Sequence, residues 1–123
     1  MGAKVLAKSL AFSKLVGGNN MKNNEVVTVE IVGKFLKNLP SQFEKIRAML
    51  CANDTFGAMD RIRIIGSMSW TFKLDMMTDC VYEIERLLEL NRVEQAKEML
   101  LDAKNMAKMM FEENGKVLEK IKV

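Results

Sequence analysis

The sequence predicts a small all-α protein: an up-down-up-down four-helix bundle, preceded by an additional short N-terminal helix. Apolar side chains recur at three- and four-residue steps through most of the 123 residues. The stretches between these periodic segments are short and carry asparagine, aspartate or lysine. Because short connections make neighbouring helices antiparallel, we expect a bundle in which more than about 65% of the chain is helical, against the usual third.

Residues 1–24 are predicted to form a unit separate from a bundle domain over residues 25–123. A short helix over about 3–16 would be followed by a linker that starts at Gly17-Gly18-Asn19-Asn20. This segment has no acidic residue and four lysines, which are Lys4, Lys8, Lys14 and Lys22. The remaining residues then hold 15 basic and 16 acidic side chains. We therefore expect no nucleic-acid partner for the nearly neutral bundle, and a basic membrane-surface helix at 1–22 is only a minor alternative.

The first bundle helix is predicted over about residues 27–51, with Thr28 as its N-cap and with Pro40 kinking it or starting its second half. The β-branched residues in 26–32 also allow a strand. Helical spacing continues beyond them, and this favours a helix. The residues that carry it are Val32, Phe35, Leu36, Leu39, Phe43, Ile46 and Leu50.

Three further helices are predicted. Asn53-Asp54-Thr55 is a break that holds a good N-cap for a helix that runs to about Phe72, the next runs over about 74–90, and the last over about 92–121. Asn91 can adopt the left-handed conformation that ends a helix, and Gly115 weakens the final turns. Trp70 and Phe72 are expected in the core. The last two helices carry six methionines, for which core filling is the expected role: Met76, Met77, Met99, Met106, Met109 and Met110.

Composition argues against several classes of protein. No apolar run approaches the roughly 20 residues that a membrane span needs, so a soluble cytoplasmic protein without stable membrane insertion is expected. Cys51 and Cys80 are expected to be reduced and buried. With no histidine in the chain, neither a metal site nor a histidine-based triad is expected. No phosphate-binding glycine loop is present. We therefore expect a protein that is not an enzyme and has no cofactor.

From Phe35 onward the order of features resembles the histidine-containing phosphotransfer domains of bacterial phosphorelays. Residues 35–40 contain Phe-Leu and Leu-Pro pairs, Ala52-Asn53-Asp54 is similar to the Ala-Gly-Asp turn of the family, and residues 83–96 look like its third and fourth bundle helices around their tight turn. The resemblance covers roughly residues 28–112. It implies an up-down-up-down four-helix bundle of the histidine-phosphotransfer type, whose second helix carries the signature His-x-x-Lys-Gly in that family.

The chain departs from that signature at the phosphorylated residue. If Gly66 is the signature glycine, Ile62 occupies the position of the histidine and Ile65 that of the lysine. Counting from the turn at Asp54 places Arg63 there instead. Neither an isoleucine nor a protonated guanidinium can accept a phosphoryl group. With no histidine in the sequence, the resemblance implies a phosphotransfer-like protein that does not carry phosphate.

The first functional hypothesis is therefore a non-catalytic signalling protein that binds the receiver domain of a response regulator, or a sensor histidine kinase. The expected partner-binding residues surround the signature glycine and are Arg61, Ile62, Arg63, Ile65, Gly66, Ser67 and Ser69. The alternative is that the two arginines are merely solvated and Gly66 allows close helix packing. Burial of Ile62 and Ile65, with Gly66 against a neighbouring helix, would remove the basis for docking.

The second hypothesis belongs to a different class. It is a structural or assembly protein, unrelated to phosphorelays, whose methionine-rich helices form a homodimer or hold a helix of a partner.

Overall fold

The computed structural model of the chain describes residues 22–122 and consists of four α-helices. They are α1 (Lys22–Cys51), α2 (Thr55–Thr71), α3 (Asp75–Glu89) and α4 (Val93–Lys122). Helix accounts for 91% of these residues, and none of them lies in a strand. The all-α prediction is confirmed. The predicted helix over about 3–16 and most of the predicted linker lie outside the described residues.

The four helices are arranged as a closed ring. Each helix packs against the next along the chain, and α4 packs against α1 in the most extensive of the four interfaces, whereas the backbones of the diagonal pairs of described helices do not approach within 8 Å between Cα atoms. The three-residue connections make consecutive helices antiparallel. This arrangement is consistent with the predicted four-helix bundle.

The three connections share one backbone geometry. In each, the middle residue has a positive φ and the following N–H bonds to the carbonyl five residues back, which is the Schellman pattern that ends a helix. The middle residues are Asn53 (φ 63°), Lys73 (φ 60°) and Asn91 (φ 59°). The third residue of the first connection, Asp54, also caps α2, because its Oδ1 accepts from the Gly57 N–H at 3.0 Å. The N-cap predicted within Asn53-Asp54-Thr55 is confirmed, with Asp54 as the capping residue, and the predicted left-handed Asn91 is confirmed.

Lys73 is the residue least suited to this geometry. Asparagine adopts the left-handed region readily, but a lysine there has its Cβ close to a carbonyl oxygen. We expect Lys73→Gly to raise the free energy of unfolding by about 0.5–1 kcal/mol, since relief of this strain exceeds the entropy that glycine adds to the unfolded chain. Chemical denaturation followed by circular dichroism measures the change. Lys73→Ala is the control, because it retains the strain, and an equal gain from both variants would contradict the explanation.

Helix α1 begins earlier than predicted. It starts at Lys22, inside the predicted linker, and it includes residues 26–32 and Pro40 without interruption. Thr28 is an exposed residue within the helix, so its assignment as the N-cap was wrong. The β-branched residues are helical because Val29 and Val32 are fully buried, and this packing outweighs their local preference for a strand.

Close packing of α1 on α4 depends on Gly33. The Asn114 side chain of α4 is buried and donates from Nδ2 to the Val29 carbonyl at 3.0 Å. A Cβ on Gly33 would lie 2.7 Å from that nitrogen. A hydrogen-bonded polar side chain in an apolar interface favours one register of the two helices.

The core is a single apolar cluster to which all four helices contribute. Met77, Met106 and Met110 are buried, and the other three methionines predicted as core, Met76, Met99 and Met109, are half-buried against the cluster. The expectation that these methionines fill the core is confirmed.

Two residues expected in the core are on the surface. Trp70 is 69% exposed, and Cys51 is exposed at the end of α1. Each of them directly follows a buried residue, Ser69 and Leu50 respectively. Consecutive residues of a helix are separated by about 100° around its axis, so the side chain after a buried one can point to solvent. Cys80 is buried as predicted, and Phe72 is half-buried with its ring centroid 5.4 Å from that of Phe35.

None of the helices within residues 22–122 is both long enough and apolar enough to cross a membrane.

Candidate functional site

The seven predicted partner-binding residues lie on α2 but do not form one surface. Ile62 is 0% exposed, Ile65 is 6% exposed, and Gly66 and Ser69 are also buried. Arg61, Arg63 and Ser67 are exposed. The apolar centre of the expected docking face therefore belongs to the core, and its assignment as a surface was wrong.

Gly66 is a packing glycine at the interface of α2 and α3. A Cβ built on it would lie 2.9 Å from Cε1 of Tyr82 and 3.4 Å from Cγ1 of Val81. Its lack of a side chain lets the two helices approach closely. Ile62 and Ile65 are therefore buried and Gly66 lies against a neighbouring helix, and this arrangement removes the basis for the predicted docking face.

The two arginines point to different neighbours. Arg63 reaches α3, where its Nε lies 3.2 Å from Glu85 and its Nη2 lies 3.7 Å from Glu89. Arg61 reaches α1, where its Nη1 donates to Oε1 of Gln42 at 3.3 Å. Arg61 and Arg63 are separated by about 200° around the axis of α2, so their side chains do not line one pocket.

Ser69 is buried, and its hydroxyl is the one fully buried side-chain oxygen or nitrogen without a hydrogen-bond partner in the described part of the chain. An unsatisfied buried hydroxyl destabilises the folded state. We expect Ser69→Ala to raise the free energy of unfolding by about 1 kcal/mol, seen as a higher denaturation midpoint at unchanged slope. Ser67→Ala, at an exposed position of the same helix, is the control and should change stability by less than about 0.5 kcal/mol. A loss of stability in Ser69→Ala would show that the hydroxyl has a partner after all.

One apolar surface of the described residues was not predicted from the sequence. It is a groove of about 450 Å³ between α1 and α2, which we call the α1–α2 groove. These two helices have the least extensive of the four interfaces, and this leaves the space open. The residues lining the groove are Ile31, Lys34, Phe35, Asn38, Leu39, Gln42, Arg61, Ile64, Ile65, Met68 and Phe72.

Large apolar side chains line both walls of the groove and remain in solvent. Ile31 of α1 is 48% exposed, and Ile64 and Met68 of α2 are 60% and 41% exposed. Below them lie the Phe35 and Phe72 rings, in contact with each other. A contiguous exposed apolar surface of this kind is typical of a binding site. The sequence does contain a sign of this surface, because Ile64, Met68 and Phe72 follow one another at four-residue steps. They form a second apolar row on α2, next to the row of buried residues that includes Ile62 and Ile65.

The charged side chains that line the α1–α2 groove are both basic. Lys34 lies on the α1 wall and Arg61 on the α2 wall. The other polar residues of the lining, Asn38 and Gln42, are neutral, and no carboxylate is among the lining residues. The groove therefore combines an apolar floor with a positive rim.

A second cavity, of about 490 Å³, lies between α1 and α4 and includes the exposed Cys51. Lys104 and Glu44 form an ion pair at its edge, and the hydrogen bond from Lys104 lowers the pKa of the Glu44 carboxyl. Burial raises the pKa of the Cys80 thiol to about 11, which disfavours its thiolate form at neutral pH. Residues 22–122 contain no group of three or more histidine, cysteine or acidic side chains that could hold a metal ion.

Comparison with known proteins finds no matching family model, no matching curated protein and no matching solved structure, so the resemblance to phosphotransfer domains stays a prediction from the sequence pattern.

Proposed function

We propose that this protein is a non-enzymatic helical-bundle protein that holds one helix of a protein partner in the α1–α2 groove. The observation that carries the proposal is the exposure of Ile31, Ile64 and Met68 on the two walls of one groove. This is the assembly function predicted from the sequence, on a different surface. The methionine-rich helices do not offer that surface, because their methionines are buried or packed against the core.

A helix suits the groove better than an extended peptide does. The walls are themselves two antiparallel helices, so a third helix can pack its apolar row between them in the manner of a bundle. A peptide that binds as an added β-strand would instead require an exposed sheet edge for its backbone hydrogen bonds, and the described residues include no strand.

The test uses the full chain and a synthetic helical peptide of about 15 residues with one leucine stripe and uncharged glutamine flanks. Titration is followed by nuclear magnetic resonance, and the methyl signals of Ile31, Ile64 and Met68 should shift. Ile64→Asp should weaken binding by at least about tenfold, because it places a charge in the apolar contact. Leu101→Asp, at an exposed apolar position on α4, is the matched control. If no binding occurs up to about 1 mM for this peptide and for versions of it with charged flanks, or if both protein variants bind the peptide equally, the proposal is wrong.

A phosphotransfer-like signalling role is the second candidate. The observation that favours it is the exposure of Arg63, which lies with Ser67, Tyr82 and Glu85 in one shallow depression. When residues are counted from the turn at Asp54, Arg63 occupies the position of the phosphorylated histidine. In this role the chain would bind a receiver domain or a sensor kinase without taking its phosphate.

Incubation with a phosphorylated receiver domain or kinase should leave the chain unlabelled, since it has no histidine. The phosphoryl group of the receiver domain or kinase is radiolabelled, and after the incubation one sample is quenched with acid and another with base. The label retained on the chain is then compared between the two samples. An acid-labile, base-stable phosphoryl group on this chain would contradict the expectation. Binding of the receiver that Arg63→Glu weakens and Leu101→Asp does not would support the signalling role.

A further inference from the structure

We propose that the partner helix is acidic: an amphipathic helix whose apolar row is flanked by aspartate or glutamate side chains. This inference rests on the proposed function and specifies the chemistry of the partner for the α1–α2 groove. The groove has a basic side chain on each wall, Lys34 and Arg61, and no carboxylate among its lining residues. Residues 1–21 and a second copy of the chain match these charges poorly.

The two basic side chains occupy opposite walls. Lys34 is exposed on α1, and no ion pair of the described residues includes it. Arg61 stands on α2 and is held by the neutral amide of Gln42. One N–H of the guanidinium is used in that bond, and the remaining donors can bind a carboxylate in the bidentate manner that arginine favours. A helix lying between the walls would meet a cation on each side.

The length of the groove defines the length of the contact. Its lining on α1 runs from Ile31 to Gln42, a rise of about 16 Å along the helix axis, which corresponds to about three turns of a partner helix. Four apolar anchors at i, i+4, i+7 and i+11 would fill this distance. Carboxylates on both sides of that row would face Lys34 and Arg61.

The N-terminal segment of the chain does not have this chemistry. Residues 1–21 contain Lys4, Lys8 and Lys14 and no acidic residue. Placed in the groove, the segment would bring lysines toward Lys34 and Arg61, and such like-charge contacts oppose binding. Residues 1–21 are therefore a poor match for the groove.

A second copy of the chain is also poorly matched. In a symmetric dimer the same surface occurs on both subunits, so the lysine and arginine of one groove would face those of the other. No carboxylate among the lining residues is available to compensate them. An acidic helix of a different protein satisfies both the apolar floor and the positive rim.

The experiment compares two helical peptides that share the leucine stripe of the neutral peptide and carry either glutamate or lysine at all flanking positions. Each is titrated into the full chain by fluorescence anisotropy. We expect the glutamate peptide to bind at least about tenfold more tightly than the lysine peptide, with a preference that shrinks as salt is added. Lys34→Glu combined with Arg61→Glu should reverse the preference.

A matched control separates local from overall charge. Lys108→Glu combined with Lys120→Glu changes the net charge equally at exposed positions of α4, and the preference for the glutamate peptide should persist. If the two peptides bind equally, or if both double variants abolish the preference, the proposal of an acidic partner is wrong. The proposal that the groove binds a helix is not affected by that result. Absence of binding by the neutral, acidic and basic peptides alike overturns the proposed function itself.

Discussion

Replacing Ile62 with histidine and Ile65 with lysine is expected to unfold the protein at neutral pH. These changes restore the phosphotransfer signature in the register that ends at Gly66. Both positions are in the core, with Ile62 fully buried. The double variant loses two apolar side chains from the core and buries an imidazole without a partner at position 62; even if the lysine at position 65 extends its ammonium group into the α1–α2 groove, the total cost is several kcal/mol. Since a domain of this size has a total stability of about 5–15 kcal/mol, the native bundle should no longer be populated.

Far-ultraviolet circular dichroism with denaturant titration measures the outcome. Arg63→His is the matched control, because it introduces an imidazole at an exposed position one residue away and should change the stability by less than about 1 kcal/mol. A double variant as stable and cooperative as the wild type would show that Ile62 and Ile65 face solvent. Arg63→His is also the variant with which to test phosphoryl acceptance, because it leaves the fold in place.

Replacing Gly66 with leucine is expected to lower the free energy of unfolding by about 2–3 kcal/mol. The new side chain would enter the interface of α2 and α3, where the Cβ alone approaches Tyr82 at 2.9 Å and Val81 at 3.4 Å. The better helix propensity of leucine offsets only about 0.8 kcal/mol of this cost. The midpoint of thermal unfolding should fall by roughly 10 °C, given about 4–8 °C per kcal/mol in a domain of this size.

Two comparisons identify the cause of that loss. Gly115→Leu makes the same change at an exposed helical glycine whose added Cβ meets nothing within 4 Å, so it should leave stability unchanged or raise it by up to about 0.8 kcal/mol. Tyr82→Ala should recover part of the loss in a Gly66→Leu background, because it removes the ring that the leucine would meet. If Gly66→Leu is as stable as Gly115→Leu, then α2 and α3 are not in close contact at Gly66.

The sequence by itself determined the helices, because the signals that define them are local. Repeated apolar residues at three- and four-residue steps predicted all four bundle helices, and side chains suited to capping and to a left-handed backbone marked two of the three connections, at Asp54 and Asn91. At Lys73 the same backbone geometry forms with an unfavourable residue. There the turn is imposed by the packing of the two helices it joins, and the only local signal was a break in the apolar pattern.

The tertiary structure alone decided which row of α2 faces the core. Two apolar rows run along this helix at helical spacing, one through Ile62, Ile65 and Ser69, the other through Ile64 and Met68. The sequence allowed either row to be inside, and the predicted docking face assumed that the first was accessible. Packing of α3 against Gly66 orients α2 so that the first row is buried and the second borders the groove. The angle of a helix about its own axis depends on its neighbours, and no local pattern contains that information.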